Sequence, residues 1–129
     1  MLFEWDESMN VGYDQINEQH KKLISLINEL HSAMLEGKSK DVMSGILGEL
    51  KDYTVYHFKT EEDLFDKFDY SETNDHKTEH QAFVLKVGDF ISEFESGKVG
   101  VSLELMNFLK NWLIQHIKGS DMKYKGKLE

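Results

Sequence analysis

The chain of 129 residues contains no cysteine and no proline. The first absence excludes disulfides, thiolate metal ligands and cysteine nucleophiles, and it allows a reducing compartment. The second removes a strong helix breaker and suits long uninterrupted helices. Positive charge is also short. A formal net charge of -9 at pH 7 argues against nucleic-acid or anionic-membrane partners, since phosphate binding needs a basic face. No apolar run reaches the roughly 18 residues of a membrane helix. The first residues, Met1, Leu2, Phe3, Glu4, Trp5 and Asp6, lack the basic and apolar blocks of a secretory signal. The expectation is one cytoplasmic domain over residues 1–129, large enough to bury a core without staples.

Four segments then show helical periodicity. Residues 1–16 alternate, with Phe3, Trp5, Met9, Val11 and Tyr13 on odd positions, the period of an extended arm with one buried side. No partner strand follows. From Asn17, read as a helix cap, His20, Leu23, Ile24, Ile27, Leu30, His31 and Met34 recur at three and four residues until Gly37. A second stripe begins near Ser39 and runs through Val42, Ile46, Leu50, Tyr53, His57, Glu61, Leu64 and Phe68. Gly45 and Gly48 inside it each cost about 1 kcal/mol relative to alanine, or mark close helix packing. Ser71–Asp75 reads as turn and cap before His76, His80, Phe83, Val84, Val87, Phe90, Ile91 and Phe94. Gly97 and Gly100 bound the next connection. Ser102 caps a last helix bearing Leu105, Phe108, Leu109, Trp112, Leu113, His116 and Ile117, which Gly119 stops. Short connections make neighbours antiparallel. The expected fold is all-α: an up-down-up-down four-helix bundle over 17–121 with an extended N-terminal arm and a tail at 122–129.

The histidines lie on the apolar stripes. His57 and Glu61 are four apart, as are His76 and His80, so each pair stands on one helix face about 6 Å apart along the axis. A transition metal takes four to six donors, and imidazole with carboxylate suits iron, zinc, copper or manganese. The up-down topology brings the starts of helices one and three and the ends of two and four to one end of the bundle. That layer contains His20, His57, Glu61, His76, His80 and His116. Asp121 joins only if the chain departs from the α-helix, because five residues advance it by about 140°. A left-handed Gly119 would end the helix and turn Asp121 back over the bundle. With both carboxylates bridging, five histidines and one solvent-derived bridge, two octahedral ions are one donor short, which leaves a place for a small ligand. His31 returns to nearly the face of His20 but about 16 Å further along, out of reach. A single histidine on an apolar face is more often a satisfied core residue; five at one depth reverse that expectation. Glu62, Asp63, Asp75 and Glu79 fall off the ligand face and read as solvated surface. Tyr53, one turn before His57 on the same stripe, reads as packing, with a phenol near the open site as the alternative.

These residues resemble the hemerythrin family, in particular its bacterial single-domain members, over almost the whole chain. The family pattern is a lone histidine on helix one, histidine and glutamate four apart, two histidines four apart, and histidine followed five residues later by aspartate. His20, His57, Glu61, His76, His80, His116 and Asp121 match it without departure. The resemblance implies a non-haem centre of two iron ions, with His76, His80 and His116 on the six-coordinate iron and His20 and His57 on the other. Glu61, Asp121 and an oxo or hydroxo group would bridge, and dioxygen would bind reversibly at the open position. It also implies that Leu23, Trp112, Leu113 and Ile117 line an apolar oxygen pocket. Members of the family are carriers, stores and sensors.

The expected function is thus reversible dioxygen binding without catalysis. A diiron oxidase or peroxidase is the rival from another class. Ferritin-like carboxylate enzymes place glutamate three residues before histidine, and no histidine here has an acid at that position. A zinc bundle without oxygen chemistry is the third reading, separated by metal analysis. An oxygen- or redox-sensing domain is the fourth.

Overall fold

A computed structural model describes residues 3–97 and 103–128. Four helices, α1 (Asp14–Leu35), α2 (Lys40–Lys67), α3 (Thr73–Glu95) and α4 (Leu103–Gln115), form an antiparallel up-down-up-down bundle, with no strand among the described residues. Gly100 and Ser102, expected to end a loop and cap α4, lie outside the described residues. No described helix is long and apolar enough to cross a membrane.

The apolar stripes face inward as the periodicity requires. Leu23, Ile27 and Leu30 of α1, Leu47 and Leu50 of α2, Phe83 and Val87 of α3 and Leu109 and Leu113 of α4 are all buried. Val42, placed on the inner stripe of α2, is instead exposed, since it lies in the first turn beyond the end of the core. Nothing lies close enough to Gly45 or Gly48 for a Cβ to meet, so close helix packing does not account for them.

The helix ends follow local chemistry. Ser39 caps α2 by accepting from the backbone N–H of Val42. α1 ends in a Schellman turn: Gly37 has φ +66, its N–H donates to Met34 O, and the N–H of Lys38 donates to Ala33 O. α2 ends the same way without glycine. Asp69 takes φ +50, and the N–H of Tyr70 reaches Phe65 O.

Asn17 does not cap α1, which starts three residues earlier with Tyr13 at the cap position. Its buried side chain accepts from the backbone N–H of Val11 and donates to Asn10 Oδ1, so it fastens the arm to the helix. Asn28 makes a second clasp by accepting from the N–H of Phe3 and donating to its carbonyl. The arm carries a 3-10 turn at Glu7–Met9 and a left-handed Gly12, and its own Phe3, Met9 and Val11 are buried.

The chain after α4 departs most from expectation. Gly119 is not left-handed. The helix widens into a π turn over His116–Ser120 and tightens into a 3-10 turn over Asp121–Tyr124. Residues 122–128 are not a free tail: Tyr124 is fully buried, and buried Leu128 donates its N–H to Tyr13 Oη at 2.9 Å.

Candidate metal centre

α1, α2 and α3 deliver their donors from inward faces near one end of the bundle; His116 opens the π turn that follows α4, and Asp121 opens the 3-10 turn after it. The N–H of Asp121 donates to His116 O, five residues back, and to Ile117 O. That wider turn returns position 121 towards the side of position 116, which an α-helix cannot do. The spacing of five therefore does require a break in the α-helix, but the device is a π turn rather than a glycine reversal.

His20, His57, Glu61, His76, His80, His116 and Asp121 are all buried, none more than 5% exposed. They form two overlapping donor groups. Glu61, His76, His80 and His116 make one; His20, His57, Glu61 and Asp121 make the other; within each the donor atoms lie within 4.8 Å of one another. Asp121 spans both: Oδ1 lies 2.8 Å from His76 Nε2 and 3.0 Å from His116 Nε2, while Oδ2 lies 3.0 Å from His20 Nε2. Glu61 Oε1 lies 3.2 Å from His80 Nε2 and 3.4 Å from His57 Nε2. His31 is half-buried and belongs to neither group.

Several of these short separations lack hydrogen-bond geometry. Nε2 of His20 and His57, Oε1 of Glu61 and both oxygens of Asp121 are buried without a hydrogen-bond partner, although each has an opposite atom near 3 Å. Nε2 of His116 also faces Nε2 of His76 at 3.1 Å and Nε2 of His80 at 3.2 Å. Burying so many lone pairs against one another is costly unless something accepts them. Two ligands at right angles around an ion, each at roughly 2.1 Å, sit about 3 Å apart. The nitrogen and oxygen spacings here match that edge, so the donor set fits metal on the geometry of its own atoms.

Behind the donors stand groups the sequence did not reveal. Tyr124 donates its hydroxyl to Glu61 Oε2. His57 Nδ1 meets Gln19 Oε1 at 2.7 Å, and His80 Nδ1 meets Glu62 Oε2 at 2.8 Å. His116 Nδ1 lies 3.2 Å from Glu79 Oε2. Glu62 and Glu79 thus are not merely solvated surface. Each stands at the bundle's outer side, where the far nitrogen of an imidazole points. The imidazoles are also braced by aromatic rings. Phe58 stacks on His80 with centroids 3.8 Å apart, Trp112 stacks on His116 at 4.4 Å, and Phe65 packs on His76 at 4.7 Å.

The electrostatics follow from burial against pairing. Burial pulls His57 down to about 4, although Glu61 opposes it. Burial also disfavours charge on His116, but Asp121 and Glu79 win and hold it up to about 10. For Asp121, burial pushes the carboxyl up, while His116, His20 and His76 hold it well below the usual carboxylate range. Glu79 drops to about 2, chiefly through its hydrogen bond with His116. Burial, with Asp121 and Glu61, keeps the Tyr124 phenol well above its ordinary value, so it remains a donor.

Of the expected pocket residues, Leu23, Leu113 and Ile117 are buried, and Trp112 is half-buried against His116 and Phe83. Tyr53 packs its ring on Tyr56 at 5.6 Å and lines a surface groove with Gly45 and Gly48, a packing role.

A four-helix bundle with a buried histidine and carboxylate cluster fit for metal is thus the class that fold and site define. The chain belongs to the hemerythrin family: the model of the hemerythrin HHE cation binding domain matches residues 11–128. It is 44% identical over 126 residues to a hemerythrin-like protein of Naegleria gruberi, spanning 98% of this chain and 93% of that one. It is 35% identical over 120 residues to a bacteriohemerythrin of Pseudomonas aeruginosa, spanning 93% of this chain and 77% of that one. A crystal structure of wild-type hemerythrin superposes with a TM-score of 0.94 at 29% identity, covering 99% of this chain and 98% of that one.

Proposed function

We propose that this chain binds dioxygen reversibly at a pair of iron ions, as a carrier, store or delivery protein and not as an enzyme. The observation behind this reading is the pair of buried donor groups that share Glu61 and are spanned by the two oxygens of Asp121. Two positions that share carboxylates suit two bridged ions better than one. His76, His80 and His116 would hold one, His20 and His57 the other, and Glu61 and Asp121 would bridge them together with an oxo or hydroxo group. When bound, the ions supply the electrons and the open coordination position that dioxygen requires.

The protein supplies position and dryness. Tyr124 fixes the rotation of Glu61 through its hydroxyl. Gln19, Glu62 and Glu79 orient the imidazoles from behind and set which ring nitrogen faces inward. Leu23, Leu113 and Ile117, buried beside the cluster in sequence and on its helices, would form the apolar wall that excludes water and anions.

The test is the optical spectrum of the iron-loaded, reduced chain through repeated oxygen addition and evacuation. Recovery of oxygen and of the reduced spectrum over several cycles supports the reading. Sustained consumption of oxygen and reductant, with none recovered under vacuum, would replace it with an oxidase.

A further inference from the structure

The groups behind the two ion positions differ in charge. On one side, His80 donates Nδ1–H to Glu62 at 2.8 Å, and His116 Nδ1 lies 3.2 Å from Glu79. Both acceptors are carboxylates. On the other side, His57 Nδ1 faces Gln19 Oε1, an uncharged amide. The Gln19 amide is held that way round because its Nε2 donates to Thr60 Oγ1 at 3.3 Å, which leaves the oxygen for the histidine. His20 Nδ1 is buried with no hydrogen-bond partner. Glu61 and Asp121 touch both positions and do not distinguish them, while three histidines against two already favour the His76, His80 and His116 position.

A carboxylate accepting from the far nitrogen of an imidazole makes the near nitrogen a stronger donor to metal, and loss of such a partner typically lowers metal affinity about 10- to 100-fold. An amide oxygen orients the ring equally well but adds no charge. We infer that the two ion positions are unequal by construction: Glu62 and Glu79 make the His76, His80 and His116 position the tight one, and Gln19 leaves the His20 and His57 position the one that empties first. This rests on the two-ion reading above and adds to it an order of loading and loss.

Two observations bear on whether the carboxylates keep their effect. Their side chains are 30% and 47% exposed, so solvent screens their long-range field, while the direct contact with Nδ1 remains. The lysines in the groove beside Glu62 are engaged elsewhere: Lys59 pairs with Asp63 and Lys77 with Asp66.

The experiment is chelator extraction of the whole chain loaded anaerobically with ferrous iron, followed by the colour of a bipyridine chelate. Wild-type protein should release iron in two phases of similar amplitude, the slower by tenfold or more. Glu62→Gln with Glu79→Gln should speed the slow phase about 10- to 100-fold and leave the fast phase in place. Gln19→Glu should slow the fast phase, an effect in the opposite direction that a loosened structure cannot produce. Should the double variant fail to load, Glu62→Gln alone and Gln19→Glu decide the question. A single phase in the wild type, or variants that shift both phases together, would overturn the inference while leaving a two-ion centre standing. Release of one ion per chain would instead remove the two-ion reading, and this inference with it.

Discussion

Tyr124 and Glu61 stand 63 positions apart in the chain, yet the phenol donates to the carboxylate inside the bundle, and neither side chain reaches solvent. Tyr124 and Asp121 belong to the same 3-10 turn, so that turn places one bridging candidate and a support for the other in one stroke. Its ring is wedged between Phe65 at 5.4 Å and Tyr13 at 6.2 Å, which leaves the hydroxyl little freedom. Tyr124→Phe keeps the ring and removes only the donor. The metal-free chain should lose about 1–3 kcal/mol, the usual result of stranding a buried acceptor. A shift of the urea midpoint at unchanged slope reads this out, and an unchanged midpoint would mean that Glu61 finds another donor.

The helices announced themselves through apolar spacing, and the donors through histidines lying on apolar faces where an unpartnered imidazole is costly. Tyr124 is not legible because a π turn followed by a 3-10 turn has no steady period, so residues 122–129 read as tail. Glu62 and Glu79 lie off the ligand face because helical spacing follows the inward nitrogen of each imidazole; the outward nitrogen finds its partner at the surface. Asn17 has the composition of a cap, and nothing local distinguishes capping a helix from fastening an arm.

Glu61 and Asp121 each reach both donor groups, whereas His31 reaches neither. Glu61→Ala and Asp121→Ala should therefore strip iron far more than His31→Ala, which should load like wild type. Metal analysis after anaerobic reconstitution is expected to give near two irons per chain for wild type and His31→Ala. Metal removal should also lower the melting temperature of wild type, since binding to the folded site contributes to folding. Equal iron retention in all three variants would place the centre elsewhere in the bundle.

Metal loading should release a proton, and the source is identifiable. In the metal-free chain His116 is held up to about 10 and is charged at pH 7.5, while His57, drawn down to about 4, is already neutral. An ion bound at His116 Nε2 must displace a proton from that imidazole, so at least one proton should appear per chain in weakly buffered solution at pH 7.5. The release should fade as the pH is raised through about 10. The sign for stability is consistent. A histidine whose folded value is raised stabilises the metal-free chain fully below its unfolded value, about 6.5. That contribution is lost as the pH rises through about 10. Absence of proton release at pH 7.5 would show that His116 is neutral before metal arrives.

Leu113 tests the dry wall apart from the donors. It is 4% exposed and lies one turn before His116 and Ile117 on the inner side of α4, so it can be changed without touching a donor. Leu113→Ala opens space there, and Leu113→Asn adds a polar group that recruits water. Either change costs stability, about 2–5 kcal/mol for the alanine, so iron content and helicity must be checked first. With both retained, the reduced protein should oxidise irreversibly faster than wild type, and faster in Leu113→Asn than in Leu113→Ala. A cavity lined by apolar side chains can stay dry, whereas an amide in that position holds water. The rate of spectral change after a single oxygen addition gives the order. Equal rates in all three proteins would show that water is excluded by something other than Leu113, and the assignment of Leu23 and Ile117 to the same wall would fall with it.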